Sequence, residues 1–221
     1  REQIERHLGD WAASPPPQMP QAEKCFTPAL VRKNKDIEQI HLCLGFPGIE
    51  LGSPDIYALS IFNNLFGGGM SSRLFQRIRE DLGMAYSVYS YPTVLPGCGL
   101  FVLYAGTSTN HTQSVLEQLR SEITLLLSEG ITPEAFHMAR EQLKGSYILG
   151  LESPSSRMSN IGRNLLLQGR VRDEQEVLNS IAAATVEDVM RVARDMLQCP
   201  NGASIVGRGV ESLPEGWLLG K

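Results

Sequence analysis

The sequence predicts an α+β domain, in which an antiparallel or mixed β-sheet carries helices packed on one face. Alternating apolar runs at Gln39–Phe46, Tyr86–Tyr91 and Leu100–Gly106 read as strands, and a block of consecutive helical patterns follows from Thr112 to Leu197. Strands and helices therefore do not alternate as a parallel βαβ fold would require. The size agrees: 221 residues, 42% hydrophobic and 20% charged, suffice for one large domain with a real core.

The opening residues, REQIERHLGDW, pattern as the last turns of a helix, with Ile4 and Leu8 on one face and Gly9 ending it. Residues 1–12 thus read as the tail of a preceding unit, and the chain as a fragment of a longer polypeptide. Ser14–Pro20, SPPPQMP, marks a linker over residues 13–24, because consecutive prolines join neither a helix nor a ladder. The domain itself is expected over residues 25–221.

That domain should open on a strand at about Phe26–Lys33. In the next strand, Ile40, Leu42, Leu44 and Phe46 face one way and Gln39, His41 and Cys43 the other. Ser53 and Pro54 stand in the order cap, then proline at the first helical position. The helix they open carries Ile56, Leu59, Ser60, Asn63 and Phe66 into Gly67, Gly68 and Gly69, which should stop it by adopting backbone angles closed to other residues. Ser71 or Ser72 is expected to cap a short second helix, with Leu74, Ile78 and Leu82 as its apolar stripe and Gly83 as its end. Tyr86–Tyr91 and Leu100–Gly106 then form a hairpin around a loop at Pro92–Gly99.

The first long helix, about Thr112–Ser128, turns Val115, Leu119, Ile123, Leu126 and Leu127 to the core. Thr132-Pro133 opens another with Phe136, Leu143 and Tyr147 inward. Ser153-Pro154 breaks that helix, and Ser155 should cap a third with Met158, Ile161 and Leu165 inward. Helices at Asp173–Ala182 and Val186–Leu197, the latter capped by Thr185, lead to a last strand at Ala203–Val206.

Several function classes fall away on composition and motif. A net charge of −4 without a basic stripe gives no footprint for nucleic acid. No apolar run approaches the roughly 20 residues that span a bilayer, so no membrane partner is expected. Cys25, Cys43, Cys98 and Cys199 are scattered without a C-x-x-C pair, which argues against a disulfide framework or zinc knuckle and for a reducing, cytoplasmic setting. FGGGMSS lacks the lysine of a P-loop and lies between helices rather than after a strand. His7, His41, His111 and His137 are far apart, and His137 with Glu141 completes neither H-E-x-x-H nor H-x-x-E-H. No G-x-S-x-G occurs.

Arg79 and Tyr86 remain, one near the end of the short helix and one at the start of the next strand. Seven residues apart across a turn, they can converge on one spot. From the residues alone, a surface ion pair and an ordinary strand aromatic explain them better than a shared ligand does.

The run Phe66–Tyr91, FGGGMSSRLFQRIREDLGMAYSVYSY, resembles the C-terminal half of pitrilysin/insulinase-type zinc metallopeptidases, in the branch of processing proteases and mitochondrial processing peptidase. It matches nearly every position of the pattern G-G-G-x-S-S-R-L-F-x-x-I-R-E-x-x-G-x-A-Y-S-V, and the likeness extends over about Gln39–Leu197. The resemblance implies one half of a two-half clamshell that closes around an unfolded peptide, the other half or a partner subunit carrying zinc. It implies no cofactor in this chain and a dimeric intact protein. Arg79 and Tyr86 match the arginine and tyrosine that this half supplies, for a substrate carbonyl and for the oxyanion formed when a zinc-activated water attacks the peptide. Gly67, Gly68 and Gly69 become the hinge that lets the chamber shut. The same resemblance leaves a non-catalytic scaffold or partner subunit as the alternative.

Overall fold

The computed structural model describes residues 1–12 and 26–212, so the expected linker lies outside the described residues. After an N-terminal helix, α1 (Glu2–Leu8), five strands form one mixed sheet: β1 (Leu30–Asn34), β2 (Ile40–Pro47), β3 (Ala85–Leu95), β4 (Cys98–Thr107) and β5 (Gly202–Gly207). Their order is β1-β5-β2-β4-β3, with β1 parallel to β5 and the other neighbours antiparallel. Around the sheet lie α2 (Ile56–Phe66), a π-helix (Phe75–Asp81), α3 (Thr112–Glu129), α4 (Pro133–Gly150), α5 (Pro154–Gln168), α6 (Glu174–Ala183) and α7 (Val186–Leu197).

The alternation of β2 does what its sequence requires. Ile40, Leu42, Leu44 and Phe46 are buried, while the residues between them are half-buried on the opposite face. Phe101, Leu103 and Ala105 of β4 continue the buried face. On it sits α2, whose Phe62 stacks on Phe66 at 5.3 Å between ring centres and meets Phe101 at 5.2 Å. Each such fully buried phenylalanine stabilises the fold by about 1.5–3 kcal/mol relative to exposure. α7 adds Val189, Val192, Ala193 and Met196, fixed by a capping box between Thr185 and Asp188.

Several expectations need correction. The hairpin strands are longer than their apolar cores, leaving only Pro96 and Gly97 as the turn, with Gly97 at φ +79°. Pro92 fits within β3 because β3 is the sheet's edge strand, where a missing N–H breaks no ladder on the open side. The first strand begins at Leu30 rather than Phe26. α2 begins at Ile56, after Pro54, and Ser53 Oγ accepts from Asp55 N–H outside the helix. Ser153, not Ser155, caps α5, accepting from Ser156 N–H with Pro154 in the first turn.

The largest correction concerns α5. Met158, Ile161 and Leu165 were expected inward, yet α5 buries no residue, and Leu165 is 56% exposed. Its polar side faces the body instead. There Asn164 Nδ2 donates to Asn160 Oδ1, Gln168 Nε2 donates to Asn164 Oδ1 at 2.8 Å, and Arg172 Nη2 donates to Gln168 Oε1 at 3.2 Å. This chain of amides runs i to i+4 along the helix and ends on Arg172, which ties that polar side to Tyr57 of α2.

The π-helix is held from beneath by a buried carboxylate. Glu122 of α3 accepts from Arg73 Nε at 2.5 Å and lies 3.9 Å from Arg77 Nε, with its side chain only 5% exposed. Removing the acid leaves Arg73 without its charge partner in a part-buried position, so Glu122→Ala should lower unfolding free energy by about 3 kcal/mol. Arg77→Ala, at a half-exposed partner, should cost less than about 1 kcal/mol. Urea titration of the two variants checks the difference.

Candidate functional site

The exposed margin of β3 is built by two departures from regular geometry. Against β4, the register of β3 shifts between Ala85 and Ser87, which leaves Tyr86 as the extra residue of a bulge. Strict alternation from buried Ala85 would turn Ser87 and Tyr89 inward. The bulge resets the phase, so Val88 and Ser90 are buried while Tyr86, Tyr89 and Tyr91 are exposed.

The second departure is the π-helix. Leu82 N–H reaches back five residues to Arg77 O at 3.3 Å, a wider turn than an α-helix makes. The expected stripe therefore breaks: Leu74 and Ile78 are fully buried, but Leu82 is only half-buried. Gly83 at φ +61° closes the turn as its sequence position predicts. Ser72 does not cap the helix. Its hydroxyl donates to Gly69 O at 2.5 Å, tying the glycine segment to the helix start.

Arg79 sits on the exposed side of this helix, with its guanidinium 4.9 Å from the Phe75 ring centre and its Nε 3.9 Å from Glu80 Oε1. Together with the Gly67–Met70 segment, Phe75 and Ser87–Ser90 it lines a cavity of about 330 Å³. The structure thus brings Arg79 and the three glycines to one cavity. Tyr86, 58% exposed, stands at the bulge just before Ser87 and is not part of the cavity wall.

The glycines are needed for a different reason than expected. None of Gly67, Gly68 and Gly69 has positive φ. Instead, a Cβ on Gly67 would lie 2.5 Å from Ser90 N and Oγ, and one on Gly68 would lie 2.7 Å from Asn63 Nδ2. The close approach lets Ser90 N–H donate to Gly67 O at 2.9 Å and Ser90 Oγ to Asn63 Oδ1 at 2.8 Å. Gly69 has room, its nearest neighbour for a Cβ being Gln142 Nε2 at 3.7 Å.

Sequence reasoning missed the aromatic row beside this cavity. Tyr89 stacks on Tyr104 at 4.7 Å between ring centres, and the Tyr104 hydroxyl shares a 2.7 Å hydrogen bond with His41 Nδ1. Burial first, and then Tyr89 and Cys43, push the Tyr104 phenol above its ordinary value; burial also raises Tyr91 and Cys43. The readable signal was the spacing of Tyr86, Tyr89 and Tyr91, which shares one face only if the strand is bulged. His137 is exposed on α4. Among the described residues, no group of three or more His, Cys, Asp or Glu side chains is placed to hold a metal. No helix among them is long and apolar enough to cross a membrane.

Residues 1–143 match the family model described as the peptidase M16 inactive domain. The chain is 41% identical over 193 residues to an uncharacterized zinc protease of Bacillus subtilis, covering 87% of this chain and 47% of that protein. It is 41% identical over 170 residues to another from Streptomyces coelicolor, covering 77% of this chain and 37% of that protein. The chain thus spans less than half the length of these curated relatives. Among solved structures, a peptidase M16 inactive domain from Pseudomonas fluorescens superposes with a TM-score of 0.74 at 23% identity, over 85% of this chain and 45% of that one. A protease from Helicobacter pylori gives 0.78 at 21% identity, over 93% and 51%. These two likenesses extend the agreement to the fold.

Two substitutions separate close packing from backbone freedom in the glycine segment. Gly67→Ala should cost about 1–3 kcal/mol through its clash with Ser90. Gly69→Ala should stay within about 0.5 kcal/mol of the parent. Chemical denaturation measures both.

Proposed function

The chain belongs to the peptidase M16 family as one of its inactive domains, and on that premise we propose that it closes the peptide chamber of a zinc-dependent processing-type metalloendopeptidase. It is the C-terminal, non-zinc half, paired with a zinc-bearing half or partner subunit in a dimeric intact protein. The observation that carries this reading is the exposed margin of β3. A guanidinium and a phenol flank one segment of edge strand with no further strand on its outer side, where an extended peptide could lie beyond the Ser90 N–H that Gly67 O already takes.

Arg79 would hold a substrate carbonyl through its fixed fork of N–H donors. Tyr86 would donate its hydroxyl proton in a hydrogen bond to the oxygen that gathers negative charge as the peptide carbon becomes tetrahedral. The bulge supports this role, because it turns the phenol out of the sheet instead of into the core. Any hinge motion of Gly67, Gly68 and Gly69 would fall at Gly69, since the first two are packed against Ser90 and Asn63. The described residues do not fit zinc, and in this reading the metal would be held by the other half. Free Cys43, Cys98 and Cys199 support a cytoplasmic setting.

In the intact protein, Tyr86→Phe should reduce peptide turnover about 10²-fold, the usual loss for one oxyanion donor, with zinc content unchanged. Arg79→Ala should reduce kcat/KM, also with full zinc. Cleavage at the parent rate by either variant removes the role assigned to that residue.

A further inference from the structure

α5 is a helix without a core of its own. It buries no residue in this domain, and its polar side lies over cavities of about 280 and 300 Å³. Its apolar side is open: Met158, Ile161 and Leu165 recur at i, i+3 and i+7 with Leu166 beside them, each between 50% and 85% exposed. The end of α4 adds Ile148 and Leu149, also exposed. A helix of this length owes most of its stability to packing of its apolar face, and exposed apolar patches mark interfaces. Gly162 sits within the stripe, and a Cβ there would meet nothing within 4 Å. The backbone at that point is open to close approach by another helix.

Charge separates the possible occupants of this face. Residues 153–172 carry four arginines and no acid. Arg157 and Arg170 are paired with Glu174 and Glu176 from outside the helix, and Arg172 is engaged on Tyr57. Arg163, exposed on α5, meets no acid among the described residues. An antiparallel pairing of α5 with its own copy across Gly162 would bring the two Arg163 side chains within about one helical turn of each other, a repulsion that a different, acid-bearing surface avoids. Chain length points the same way. The matched regions cover 47% and 37% of the Bacillus subtilis and Streptomyces coelicolor relatives, so more than half of each of those proteins lies outside the likeness.

We propose that α5 and the end of α4 dock onto the other half of a longer protein, against an apolar helix that carries a carboxylate opposite Arg163. This rests on the reading of the chain as one half of a two-half peptidase, and it adds the surface by which the halves are joined. None of Ile148, Leu149, Met158, Ile161, Leu165 and Leu166 lines the cavity beside β3. Docking through them therefore leaves Arg79 and the edge strand free to meet a peptide.

The test oxidises the intact protein with dilute peroxide and reads each methionine by peptide mass spectrometry. Met158 and Met138 are equally exposed in this domain, at 68% and 67%, so their rates compare a covered face with an open one. Met158 should oxidise at least about tenfold more slowly than Met138. Arg163→Glu should raise the Met158 rate at least about threefold by setting like charges against each other. A photo-reactive group at Leu166 should cross-link to the other half, outside residues 1–221. Equal rates at the two methionines in the parent protein overturn the proposal whether or not the variant folds. So does a cross-link within residues 1–221 or to a second copy, or protection that requires anionic vesicles. Zinc content of the same sample separates the two failures: an intact protein without zinc removes the peptidase reading, and the Met158 rate still decides the docking face.

Discussion

Tyr86 has no partner in the β3–β4 ladder, and the chemistry of the sheet's margin follows from that single unpaired residue. A bulge in a central strand would break hydrogen bonds on both sides. In β3 it breaks them on one side only, because the other side is the sheet's open edge. The phase change keeps Ala85, Val88 and Ser90 in the core and sends three tyrosines to the surface. A regular strand with the same sequence would bury Tyr89 and lose either its packing or its phenol's solvent.

The π-helix works with the bulge. Its wide turn releases Leu82 from the core stripe and sets Arg79 on the exposed side over Phe75. Wide turns of this kind are rare and recur at functional sites, where tertiary contacts offset their poorer backbone geometry. Here the contacts are identifiable: Ile78 and Leu74 fully buried below, Glu122 drawing Arg73 and Arg77 to α3, and Ser72 tied to Gly69. Glycines 67 and 68 then let α2 end directly against Ser90 of β3, so the cavity wall and the edge strand are fixed to each other.

Much of the fold was legible because its signals are local. The alternation in β2, the Thr132-Pro133 start of α4 and the Thr185 cap of α7 need only neighbouring residues to act, and each stands where the sequence puts it. The features that were not legible depend on distant partners. The tie on the polar side of α5 runs from Arg172 to Tyr57, 115 positions away, while the apolar stripe of the helix stays unburied. The glycine requirement comes from Ser90, and the bulge from pairing with β4. Arg79 and Tyr86 were singled out by resemblance to a family motif; spacing alone did not separate them from surface residues. Tyr89 and Tyr104 carried no such signal.

The central claim is that the β3 margin meets the peptide. Hydrogen exchange of the intact protein, with and without a bound peptide it does not cleave, measures this directly. The account predicts slowed exchange at residues 67–70 and 85–89, the segments beside the cavity that Arg79 lines. Unchanged exchange in both segments, with protection confined to other parts of this domain, would contradict it.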